Sequence, residues 1–154
     1  MNERLNAIFA RLKRMPEFSD ANFADVNAMS SEGDNALHYA VTWGDLGAAK
    51  ALIDAGIDIN KAGDLGYTPL HVACVRGNVE MVKLLIKRGA DLFALSEGDA
   101  PFTKARIGGH DDVCEVLAPL MKEAQKHDPD IWLRARIAQL KREIAFLEKR
   151  LTRF

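Results

Sequence analysis

Gly66-Tyr67-Thr68-Pro69-Leu70-His71-Val72-Ala73 decides the fold, because its pattern already stands 33 positions earlier as Gly33-Asp34-Asn35-Ala36-Leu37-His38-Tyr39-Ala40. The spacing continues outward: Gly44 pairs with Gly77, Leu52 with Leu85, Gly56 with Gly89 and Asp58 with Asp91. A period near 33 in 154 residues predicts stacked copies of one small unit rather than a single closed core. Such a stack offers an extended surface, which shifts the expected function from catalysis towards binding.

Residues 33–65 form one copy and 66–97 the next, one residue shorter. Residues 98–127 hold a degenerate third, in which Pro101, Ala105, Gly109 and Leu117 fall 32 places after Pro69, Ala73, Gly77 and Leu85. Before Gly33, residues 23–32 match the tail of a copy. Each copy reads as helix, turn, helix and an extended excursion. Thr68-Pro69 is a hydroxyl N-cap followed by proline at the first helical position, where a missing N–H costs nothing. Asn35 can cap the first copy. Ala100 removes the capping oxygen from the third, so that helix end should be the weakest. Gly44, Gly77 and Gly109 suit a left-handed turn between paired helices. Neither helix of a pair is long enough to be stable alone, so stacking must hold it.

Residues 66–91, from Gly66-Tyr67-Thr68-Pro69 through the Gly77-Asn78 turn and Val82-Lys83-Leu84-Leu85 to Gly89-Ala90-Asp91, resemble an ankyrin repeat almost position for position. Residues 33–65 are similar but lack the Thr-Pro pair. The third copy departs further, with Thr103 where the family has His and Pro119 inside the expected second helix. The resemblance covers about two thirds of the chain. It implies an all-α solenoid of stacked helix-turn-helix units with hairpin-like fingers, used across the family to bind other proteins. It also implies that His38 and His71 hydrogen-bond within and between turns. His110 stands in the interhelical turn, where His is common in the family, and His127 is expected in solvent.

The flanks do not repeat. Residues 1–22 are expected to form a capping helix and linker: Leu5, Ile8, Phe9 and Leu12 are spaced as one helical face, and Pro16 should end the helix. Residues 128–154 are expected to form a long helix opened by Asp128-Pro129 as N-cap and first residue. In it Leu133, Ile137, Leu140, Ile144, Leu147, Leu151 and Phe154 alternate in steps of four and three. This heptad seam is compatible with a coiled coil and self-association. The second reading is an amphipathic helix folded back on the last repeat, and Trp132 and Phe146, off the seam, could make that contact.

Composition bounds the rest. The chain is 48% hydrophobic and 28% charged, with no apolar run long enough to suggest a membrane span, and its first residues lack the basic and apolar regions of a secretory signal, so neither is expected. Cys74 and Cys114 sit in apolar helical stretches, which fits buried thiols in the cytoplasm. The net charge of −1 divides into +3 over residues 1–14, −7 over 15–127 and +3 over 128–154. An acidic body argues against nucleic acid as a partner. No phosphate loop, nucleophile elbow, clustered cysteine pair or ligand-spaced histidine pair is present. No cofactor, metal or catalytic residue is therefore expected, and the chain is not expected to be an enzyme.

Carried over by resemblance, the partner-facing surface consists of fingertips and the ends of the first helices. The fingers contribute Glu32, Asp34, Asp64, Leu65, Tyr67, Glu97 and Asp99. The helix ends contribute Thr42, Trp43, Val75, Arg76 and Ile107. Trp43, expected to face solvent, is the type of aromatic anchor that dominates interfaces. The carboxylates would suit a basic partner. The expected role is an adaptor-like protein-binding module. An inhibitor or immunity-type protein that blocks one enzyme, or a self-assembling structural protein, would use the same features. Charges beside the seam favour an antiparallel homodimer if the last helix pairs with itself.

Overall fold

The computed structural model describes residues 3–152, among which every regular element is a helix. Helix α1 (Glu3–Leu12) buries Leu5, Ile8, Phe9 and Leu12 along one side. Three helix pairs follow: α2 (Ala36–Thr42) with α3 (Leu46–Asp54), α4 (Pro69–Val75) with α5 (Val79–Lys87), and α6 (Pro101–Ile107) with α7 (Asp111–His127). Helix α8 (Ile131–Leu151) comes last. The first helices stack α2 on α4 on α6, and the second helices α3 on α5 on α7, giving two layers. Helix α1 lies against α2 and α3 in the place a preceding unit would take.

The repeated residues explain why the layers fit. Ala40, Ala73 and Ala105 are fully buried at equivalent places, where a small side chain lets helices approach closely. Leu52, Leu85 and Leu117 are fully buried in the second layer. One continuous apolar core runs from α1 through the stack, as expected of neighbours that each lack a core of their own. At the N-terminal end it closes on aromatic rings: Phe9 stacks on Phe23 at 4.8 Å, and Phe18 meets Phe23 at 5.4 Å and Tyr39 at 5.0 Å.

Two capping boxes open α2 and α4. The Asn35 side chain accepts from the Leu37 N–H at 3.1 Å, and His38 Nδ1 accepts from the Asn35 N–H at 3.2 Å. Thr68 and His71 repeat the exchange, with the Thr68 N–H donating to His71 Nδ1 at 3.1 Å. Ala100 gives α6 no side-chain cap. Thr68→Ala should therefore cost about 1 kcal/mol, and Ala100→Thr should gain up to about 1 kcal/mol, both measurable by urea unfolding. Hydrogen exchange should find the first turn of α6 less protected than that of α4. The reverse order would show that the cap does not control these helix ends.

The excursions between units are hairpin-shaped fingers closed by one or two backbone hydrogen bonds. The Ser30 N–H donates to Asp34 O at 2.8 Å, and the Gly63 N–H to Tyr67 O at 2.7 Å. In the third finger Ser96 and Asp99 exchange both bonds at 2.9 Å. Three residues separate the bonded pair in the first two fingers and only two in the third. The shorter period of the second copy is thus a one-residue deletion at a fingertip.

The C-terminal region departs from the sequence reading. Helix α7 continues through Pro119 to His127, and Asp128 closes it instead of opening the next helix. The N-cap of α8 is Asp130, and the carboxylate of Asp128 pairs with Arg134. Helix α8 lies along the fingers, through Trp132 on Phe93 and Arg142 on Leu95.

Candidate functional site

The fingertips are built from strained backbone. Leu65 (φ 52°) and Glu97 (φ 51°) take left-handed conformations before Gly66 and Gly98, which do the same. Two successive positive φ values give the mirror-image turn that suits a tight hairpin, a conformation easier for Asn or Gly than for Leu. The tip at Leu65 is held by its neighbour, since the Ser96 hydroxyl donates to Leu65 O at 2.8 Å. The Asp64 N–H donates to Asp34 of the preceding finger at 3.0 Å. Despite this anchoring, the Leu65 side chain is 62% exposed.

Helix α8 crosses the fingers. Trp132 meets Phe93 edge-to-face at 4.8 Å, Gln139 is 4% exposed, and Arg142 donates to Leu95 O at 2.8 Å. The Gln139 amide is engaged at both ends: it accepts from Arg136 at 2.9 Å and donates to Glu143 at 2.7 Å. Between α8 and the fingertips lies an open groove of about 610 Å³. Glu32, Asp64, Leu65 and Glu97 line it from the fingers, and Gln139, Arg142, Glu143 and Phe146 from the helix. Its charged groups are four carboxylates, Glu32, Asp64, Glu97 and Glu143, and the Arg142 guanidinium.

The other expected partner-facing residues divide. Thr42, Val75, Arg76 and Ile107 are exposed, but at the C-terminal ends of α2, α4 and α6 and their caps, a helix length (~10 Å) beyond the helix starts into which the fingers lead. Asp34, Tyr67 and Asp99 are half-buried and engaged within the stack. Asp99 pairs with Lys104 at 3.0 Å, and the Lys104 ammonium lies 5.3 Å from the centre of the Tyr67 ring. Trp43, expected in solvent, is half-buried: the Arg11 guanidinium of α1 lies 3.6 Å from its ring centre, and Tyr39 packs at 6.3 Å. A flanking helix thus takes up part of this anchor.

The histidines behave as structural links. His38 Nε2 reaches Tyr67 O at 3.0 Å and His71 Nε2 reaches Asp99 O at 3.1 Å, each tying a helix start to the next finger. With Nδ1 accepting from backbone, Nε2 must carry the proton and the ring is neutral. Burial drives the His71 pKa down to about 4, with Lys104 and Arg142 adding to the effect. Burial also lowers that of His38. His110 Nε2 donates to Val75 O at 2.9 Å, joining the third turn to the second. His127 lies on the surface against Glu123 at 3.2 Å. Cys74 and Cys114 are free, and burial pushes the Cys74 thiol up to about 12. Among the described residues no group of three or more His, Cys, Asp or Glu is placed to hold a metal ion.

Gln139, Arg142, Glu143 and Phe146 were not legible as site residues. Trp132, Ala135, Gln139, Arg142 and Phe146 alternate in steps of three and four, but polar members hide this second stripe from a search for apolar periodicity.

Stacked helix pairs with projecting fingers define a solenoid repeat protein, which presents a surface instead of enclosing a substrate. A family model of ankyrin repeats matches residues 18–53, 43–86 and 70–118, and the chain belongs to that family. Ankyrin repeats are in general protein–protein interaction modules. No curated protein matches the chain. No helix among the described residues is long and apolar enough to cross a membrane.

Proposed function

We propose that the chain is a non-enzymatic, adaptor-like protein-binding module that reads a partner with a basic surface through its fingers and first-helix ends. Leu65 carries this reading. A large aliphatic side chain stands in solvent on backbone that disfavours it, beside Asp64 and in line with Glu32 and Glu97. Strain of this type persists where function, not folding, selects the residue. The carboxylates would steer and orient a basic partner, and Leu65 would supply the desolvated contact. Two free thiols, Cys74 buried and Cys114 half-buried, fit a reducing compartment such as the cytoplasm. Self-association through α8 is a second use, favoured by the apolar face that α8 leaves uncovered.

Leu65→Asn separates fold from function. The variant should be more stable than wild type by up to about 1 kcal/mol, since Asn tolerates the left-handed conformation. It should also lose the partner captured from a host lysate by the wild-type chain, as should the charge reversal Asp64→Lys with Glu97→Lys. A partner retained by both variants would move the binding surface away from the fingertips.

A further inference from the structure

The docked helix leaves a long apolar face with nothing on it. At 100° per residue, the side of α8 that carries Trp132, Ala135, Gln139, Arg142 and Phe146 faces the fingers. Leu133, Ile137, Leu140, Ile144, Leu147 and Leu151 lie about 140° around the helix from it. They are between 40% and 75% exposed. Together they make a continuous aliphatic row about 27 Å long. Monomeric soluble proteins rarely leave such a patch uncovered. The helix can thus stay docked on the fingers while this row meets something else. Phe154, which continues the heptad, lies outside the described residues.

We propose that the occupant is the same face of a second copy of this chain, packed antiparallel with Ile144 opposite Leu147 of the second copy. This rests on the reading of α8 as a second contact surface. The steps of four and three are those of knobs-into-holes packing between two helices. The flanking charges then decide orientation and register.

A parallel, in-register pair would place Arg136 against Lys141 and Glu143 against Glu148, both repulsive. The antiparallel register proposed puts Leu140 opposite Leu151, Lys141 beside Glu148 and Glu143 beside Arg150. By two-fold symmetry each attractive pair occurs twice. Sliding one heptad so that Ile144 faces Leu140 sets Lys141 against its own copy and Glu143 against its own copy. Arg136 then meets Arg150, and only Arg134 with Glu148 remains attractive. Sliding the other way sets Glu148 against Glu148 and Arg150 against Arg150. One arrangement satisfies the aliphatic row and both flanks. The mixed signs also distinguish this face from a uniformly basic membrane-surface helix.

Sedimentation equilibrium on the full chain tests the proposal, with circular dichroism to check folding. Wild type should be a dimer, and Ile144→Asp should weaken it by about 100-fold or more, because two carboxylates would enter the seam. Lys141→Glu tests orientation with a conservative surface change. In the antiparallel pair it sets carboxylate against carboxylate twice and should weaken the dimer by about fivefold; adding Glu148→Lys should restore it. In a parallel pair Lys141→Glu would strengthen association instead, and that result overturns the proposal. So would a wild-type chain still monomeric near about 1 mM, or one that forms trimers or tetramers. Partner capture by the fingertips is measured separately on the Ile144→Asp chain, so failure of the dimer and failure of the binding module give different results.

Discussion

Acidification from about pH 7 to pH 4 should destabilise the fold by about 3 kcal/mol through His71 alone. The folded ring titrates at about 4, held down by burial, whereas the unfolded chain titrates near the ordinary value of 6.5. Between those values the unfolded state binds a proton that the folded state refuses, so stability rises with pH. The contribution is complete above about 6.5, is lost as pH falls towards 4, and changes no further below that. Geometry agrees: protonated Nδ1 would point a second donor at the Thr68 N–H that now donates to it. His38 acts in the same direction, opposed by Asp34 at 3.7 Å. Carboxylates also titrate at the acid end, so the informative quantity is a difference. Urea unfolding of wild type should show a steeper pH dependence than His71→Gln across this window. Coincident slopes would show that His71 is not the linked group.

This link explains why the repeat was the most legible part of the chain. Thr68, His71 and the finger that receives His71 are needed at every junction, so the same solution appears at Asn35 and His38 and produces a visible period. Deletion at the third fingertip shortened the period without hiding it, because turn residues, not core residues, were lost. The capping role of α1 was legible from Leu5, Ile8, Phe9 and Leu12 for the same reason of regular spacing. The surface was harder to read. Trp43 looked like a solvent-facing anchor, but Arg11 comes from outside the repeats and makes a contact that occurs once. Asp128-Pro129 has the chemistry of a helix start, but Leu117 and Met121, buried on α7, carry that helix up to His127, so Asp128 closes it instead. The position of α8 was only partly legible: Trp132 and Phe146 stood out as off-seam contacts, but the seam that dominates its pattern is not the side that docks.

Phe93→Ala should cost about 3–5 kcal/mol, the largest single effect expected here. Phe93 is 3% exposed, and its place in the stack explains why it is aromatic. Asn27 and Asn60 occupy the two preceding equivalent positions, 33 residues apart. Each reaches forward to the next unit: Asn27 accepts from the Asp58 N–H at 2.7 Å, and Asn60 from the Asp91 N–H at 2.8 Å. The third finger is followed by α6 and α7, but α7 runs on to His127 and no fourth finger follows it among the described residues, so an Asn at position 93 would have no such donor. The chain places Phe93 at this point and covers it with Trp132 of α8. Helix α8 thus substitutes for the missing neighbour at this end of the finger row. Phe93→Asn, which restores the repeat residue, should be at least as damaging as Phe93→Ala, because it buries an unpaired amide. Trp132→Ala removes only the cover, a side chain that is itself 36% exposed, and should cost about 1–2 kcal/mol while raising hydrogen exchange throughout α8. Urea unfolding gives the energies and hydrogen exchange the location. A loss below about 1 kcal/mol for Phe93→Ala would mean that α8 does not depend on this joint, and that the stack ends without it.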